Sequence, residues 1–148
     1  MPERHPFDSF SEHAMRALIC AQQEAEDALS GYVGTQHLLL GLLRVGDGSA
    51  FRALQALGVD EMRLRADISQ LHEDRVPMGE LRPTSPVREA LEHALRTSAS
   101  QGATSVRTGH LLIGIAHVPD GAASTALKRQ WLEPAAILAA VDRELRAP

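Results

Sequence analysis

The 148-residue chain has a single cysteine, Cys20, so it can close no internal disulfide and build no cysteine-ligated zinc site. Aromatic residues make up only 3% of it, and Lys occurs once, as Lys128, against 14 Arg. Scarce aromatics beside abundant Ala and Leu disfavour strands, which aromatic and β-branched side chains fill, and leave helices as the expected structure. No stretch concentrates Lys and Arg and the net charge is −4, so the electrostatic footprint of a nucleic-acid or anionic-membrane partner is missing. No cationic segment followed by an apolar run opens the chain, which with the lone cysteine makes a reducing cytoplasm the expected compartment. A Gly-x-x-x-x-Gly-Lys-Ser/Thr phosphate loop is also missing, so the residues here cannot cradle nucleotide phosphates in that manner. Nor is there a legible carboxylate pair, nucleophile with base, or metal triad, and no enzyme or cofactor is expected.

What is present is a composition in the globular range, 44% hydrophobic and 23% charged, long enough for one domain with its own core. Sliding the sequence against itself aligns it at one offset, that between Thr35 and Thr108. The same shift pairs His37 with His110, Leu38-Leu39 with Leu111-Leu112, Gly41 with Gly114, Asp47-Gly48 with Asp120-Gly121, and Ala17-Leu18 with Ala90-Leu91. Two copies of one unit are implied, about 7–71 and about 84–146, joined by a polar linker over 72–83.

In copy one, Ala14, Leu18, Ala21, Ala25 and Leu29 recur at helical spacing from Ser11 until Ser30-Gly31, where glycine supplies a stop. Thr35 is the expected N-cap of a short helix whose Leu38, Leu39, Leu40, Leu42 and Leu43 cover most of its circumference, so that helix is buried. Gly46-Asp47-Gly48 turns into a third helix that Gly58 ends, and Asp60 caps a fourth. Copy two repeats this order, with Ser85-Pro86, Thr108 and Glu133-Pro134 as openings. The expected architecture is all-α: eight helices in two pseudo-symmetric sets of four.

Gly34-Thr35-Gln36-His37-Leu38-Leu39-Leu40-Gly41-Leu42 and Arg107-Thr108-Gly109-His110-Leu111-Leu112-Ile113-Gly114-Ile115 resemble the doubled Gly-Thr-Glu-His-Ile-Leu-Leu-Gly-Leu signature of the Clp N-terminal domain. The likeness runs from about Phe7 to Leu145 and is nearest the ClpC type, whose short aromatic entry resembles Phe7-Asp8-Ser9-Phe10-Ser11. Without ATPase modules, the chain looks like a standalone N-domain. The resemblance implies a single domain with no catalysis, one that binds protein segments or peptide-like ligands and modulates or competes with a Clp unfoldase. The implied partners are Clp ATPase and protease components, adaptor or client proteins, and cyclic-peptide small molecules. The alternative is a cyclic-peptide-binding or sequestering protein independent of proteolysis.

Family members of the ClpC type also recognise phosphoarginine, using the Thr and Glu that open each short helix. Here Thr35 and Thr108 are kept, but the acids are replaced by Gln36 and Gly109. Neither can give the guanidinium a charge-assisted partner, so phosphoarginine binding is expected to be weak or lost. The family's adaptor groove lies near the start of the first and fifth helices. Phe7, Phe10 and Met15 fall on its first side, and Pro83, Arg88 and Glu92 on its second.

Other residues carry blander expectations. Thr35 and Thr108 serve as caps, His37 and His110 are satisfied structural histidines, and Cys20 is an inert buried thiol. His110 and His117 lack a third donor for zinc. Trp131, at the end of the seventh helix where copy one has Gly58, is expected to pack in the core.

Overall fold

The computed structural model describes residues 9–73 and 82–147. Eight helices dominate: α1 (Glu12–Asp27), α2 (Thr35–Val45), α3 (Ser49–Ala56), α4 (Glu61–Ile68), α5 (Ser85–Ser100), α6 (Thr108–Ala116), α7 (Ala122–Lys128) and α8 (Pro134–Arg146). The short apolar helices α2 and α6 are buried from their first residues, and the leucines around them form one continuous core with residues from both copies. Leu38, Leu39, Leu42, Leu111, Leu112 and Ile115 are each at most 1% exposed. Among the described residues no helix is long and apolar enough to cross a membrane.

Close backbone approach explains the glycine that the motif keeps in both copies. A Cβ on Gly41 would sit 2.5 Å from the Ala17 carbonyl oxygen, and one on Gly114 would sit 2.0 Å from that of Ala90. The long helix of each copy therefore lies directly on the backbone of its short buried one.

Local chemistry sets most helix ends. Ser11 caps α1 by accepting from Ala14 N–H, Thr84 caps α5 by accepting from Val87 N–H, and Asp60 caps α4 through Arg63 N–H. Glu133 precedes Pro134, whose fixed φ suits the first turn of α8. Two short pairings, not foreseen from composition, tie the copies: β1 (Tyr32–Val33) runs parallel to β2 (Arg82–Pro83), and Phe10 bridges Val106. These are one interaction made twice, because Pro83 and Phe10, like Val33 and Val106, occupy matching places in the two copies.

Several expectations need correction. Helix α1 ends at Asp27, before Gly31, and the chain turns at Leu29, whose φ is +54° and whose side chain is 93% exposed instead of lying on the apolar face. Trp131 likewise takes a φ of +63° and is 88% exposed, so it is not a core residue. Each stands where the other copy has a glycine with positive φ, Gly102 for Leu29 and Gly58 for Trp131. Cys20 is half-buried.

Candidate functional site

The N-caps of α2 and α6 are Gly34 and Arg107, and Thr35 and Thr108 are the first helical residues. This corrects the capping role expected of the threonines, but only in its address. Thr35 Oγ1 accepts from Ala123 N–H in the first turn of α7, 3.1 Å away, and Thr108 Oγ1 accepts from Ala50 N–H in the first turn of α3, also 3.1 Å away. Each threonine hydroxyl satisfies an orphan donor on a helix of the other copy.

The two sites then diverge. At Thr35 the Glu73 carboxylate, 9% exposed, lies among the helix starts. It accepts from Thr35 N–H at 2.9 Å, Ala122 N–H at 2.8 Å, the Thr84 hydroxyl at 2.6 Å and the Thr35 hydroxyl. Anions are favoured where helix N-termini converge, and here the chain supplies its own. At Thr108 the neighbour is neutral: Ser49 Oγ accepts from Gly109 N–H at 2.8 Å. The copy-two counterpart of Glu73 is Arg146, which faces solvent and pairs with Asp142 at 3.2 Å.

Gln36 does not reach outward as the motif acid would be expected to. It is 2% exposed, its Nε2 donates to the Tyr32 hydroxyl at 3.3 Å, and its Oε1 is buried without a partner. Gly109 offers a backbone N–H alone. Both motif histidines close their own helix starts through Nδ1. His37 Nδ1 accepts from Gly34 N–H and His110 Nδ1 from Arg107 N–H, each at 2.9 Å, so each neutral ring carries its proton on Nε2. Burial holds both imidazoles below the usual histidine range; at His37 the charges of Glu73 and Glu24 oppose that shift, and at His110 the Arg107 charge reinforces it. His117 stacks on His93 with ring centroids 5.0 Å apart. Among the described residues no cluster of three potential metal ligands occurs.

Of the expected groove residues, Phe7 lies outside the described residues. Phe10 packs against the core at its bridge to Val106, and Met15 is half-buried on α1. Pro83 in β2, and Arg88 and Glu92 in the first half of α5, are exposed. Arg88 donates to Ser85 Oγ at 3.1 Å, and Glu92 pairs with Arg96 at 3.6 Å.

Two cavities lie behind the histidines. One of about 510 Å³ is bounded by the end of α1, by α2 and by α4, with Glu24, Ala28, Tyr32, His37 and Arg65 in its wall. Arg65 makes two hydrogen bonds of 2.9 Å to Glu24, which hold that carboxyl below its usual range. The other, of about 290 Å³, adjoins Gln101, Arg107 and His110. Sequence reading missed Glu73, which sits in a segment taken for linker. The one signal available was that the copies carry opposite charge at that place, Glu73 against Arg146.

The model of the Clp repeat N-terminal domain matches residues 9–145. The negative regulator of genetic competence ClpC/MecB of Bacillus subtilis is 32% identical over 122 residues, 82% of this chain and 15% of that protein. The chaperone protein ClpB of Oceanobacillus iheyensis is 30% identical over 122 residues, again 82% of this chain and 15% of that one. This chain spans 15–17% of the length of such curated relatives. Among solved structures, the N-terminal domain of the chaperone ClpD from Arabidopsis thaliana superposes with a TM-score of 0.82 at 25% identity, covering 99% of this chain and 100% of that one. The Hsp104 N-terminal domain of Candida albicans, with a TM-score of 0.77 at 12% identity over 95% of this chain and 94% of that one, shares the fold.

Proposed function

The chain belongs to the Clp repeat N-terminal domain family, and from that premise we propose that it is a non-enzymatic binding module for protein segments, adaptors or peptide-like ligands that modulates or competes with a Clp unfoldase. The family match over residues 9–145 carries this reading. Its docking surface is the region between the starts of α1 and α5, with Phe10 and Met15 on one side and Pro83, Arg88 and Glu92 on the other. The matched bridges of Phe10 to Val106 and Pro83 to Val33 tie that region to the rest of the fold and support this reading.

Phosphoarginine binding is weak or lost in this reading, and the site geometry supports that. The Glu73 carboxylate already takes the N–H groups that a phosphate at the Thr35 site would need, and would repel one. The Thr108 hydroxyl is engaged by Ala50 N–H, and Gly109 has no side chain for a guanidinium. Calorimetric titration with free phosphoarginine and, in parallel, with a cyclic peptide that binds ClpC tests both parts. Cyclic-peptide binding that is lost in Phe10→Ala, with no heat from phosphoarginine, supports the reading. Micromolar phosphoarginine binding abolished by Thr35→Ala and Thr108→Ala overturns the second part, and recovery of no Clp component, adaptor or client from native lysate counts against the first.

A further inference from the structure

The two copies complete their histidines differently. In copy two the Nε2–H of His110 lies 3.0 Å from the Gln101 carboxamide oxygen. In copy one the residue matching Gln101 is Ala28, and among the described residues no hydrogen-bond partner meets His37 Nε2, although His37 is only 4% exposed. His37 lines the cavity, and the neighbouring Gln36 Oε1 is buried without a partner. The missing carboxamide leaves room besides: the cavity beside His37 holds about 510 Å³, against about 290 Å³ beside His110, and falls in the range of small-ligand sites.

The wall of that cavity specifies its guest. Glu24 is paired with Arg65 at 2.9 Å, and Arg44 lies 3.6 Å from both Glu24 and Asp27, so the acids at the rim are each paired with a base of the chain's own. The Tyr32 hydroxyl accepts from Glu73 N–H and from Gln36 Nε2, which keeps its own hydrogen as a further donor. Ala28, Leu40 and Leu71 supply apolar surface. At the mouth stands Leu29, 93% exposed with φ +54°, in the place where copy two has Gly102. A leucine that holds a glycine's backbone angle and packs on little of its own chain points to a use outside that chain's packing.

We infer that the cavity beside His37 binds an uncharged peptide segment, whose amide carbonyl, from the backbone or from an Asn or Gln side chain, accepts the His37 Nε2–H as Gln101 does for His110, with an apolar neighbour lying on Leu29. The guest stands where copy one lacks its glutamine. This site is distinct from the surface between α1 and α5, and it adds a second contact to the module without depending on that surface.

The test is an NMR titration of ¹⁵N-histidine-labelled protein with the blocked dipeptide N-acetyl-Leu-Gln-amide, using N-acetyl-Leu-Glu-amide as the charged control. A saturable shift of the His37 Nε2 resonance at about 1 mM or below, with His110 unmoved and the charged control weaker, is expected. Ala28→Gln should raise the melting temperature and weaken the dipeptide about tenfold, because the variant supplies the carboxamide itself. Leu29→Gly should also stabilise the fold yet weaken binding about threefold, a pairing that a purely structural role would not produce. No saturable His37 shift up to about 10 mM, an equal shift at His110, or unchanged affinity in both variants overturns the inference. Failure of the α1/α5 surface would instead show as cyclic-peptide binding indifferent to Phe10→Ala.

Discussion

Copy one and copy two share a backbone plan and differ in which polar positions they close from within. Around the start of α2 an acid, Glu73, closes the helix N-termini and the histidine has no carboxamide partner; around the start of α6 the histidine meets Gln101 and the helix N-termini meet neutral hydroxyls. A duplicated unit here keeps its geometry while its two halves complete their polar positions differently. Apolar contacts are held in common because both copies bury them in one core, whereas polar positions near the surface are free to diverge.

Substitutions in matched pairs sharpen the comparison. The largest effect should come from the close helix contacts, where the copies are alike. Gly114→Ala should cost about 3 kcal/mol and Gly41→Ala somewhat less, in the order of their clashes, read as midpoint shifts in urea. Next, Glu73→Ala should cost about 2 kcal/mol, since it strands the Thr35 and Ala122 N–H donors, while Arg146→Ala should stay within about 0.5 kcal/mol. Equal losses would mean that the acid is no internal anion. Trp131→Gly should stabilise by about 1 kcal/mol, and Gly58→Ala should destabilise by a similar amount, because both positions need a left-handed residue. Calorimetric melting of the two variants checks the opposite signs.

The smallest effect is on pH dependence. His37 and His110 are held below the usual histidine range in the folded protein, so the unfolded chain binds more protons between the folded and unfolded values. Their contribution is fully present above about pH 6.5 and is lost as the pH falls below it toward the folded values. Glu24, lowered chiefly by its hydrogen bonds to Arg65, adds a second loss as the pH falls below the usual carboxylate value. Melting temperatures from pH 7.5 down to about pH 2.5 should decline in these two stages, and Arg65→Met should flatten the second.

How much of this was legible in the sequence follows from what repeats. The helices, their order and the burial of α2 and α6 could be read because apolar spacing and the glycine of each motif recur in both copies. The threonines could be located but not their partners, since the donor each satisfies lies 88 residues away for Thr35 and 58 for Thr108. Leu29 and Trp131 were misplaced because hydrophobicity argues for burial, while the turn that each makes forces the side chain outward. Glu73 and Ala28 escaped notice because each matters through what its counterpart is, and a difference between copies gives no hint of which one holds a partner.

Because Thr35 serves α7, Thr108 serves α3, and each short strand pairing joins one half to the other, neither half carries all the partners its own backbone requires. A half of the chain made alone would expose unmet donors and one face of the shared core. It would find both requirements met by another molecule of itself, arranged about a twofold axis. The present chain thus has the form of a symmetric dimer whose subunits have been fused end to end. With its donors and core shared across the two halves, the molecule is expected to melt in one step instead of half by half.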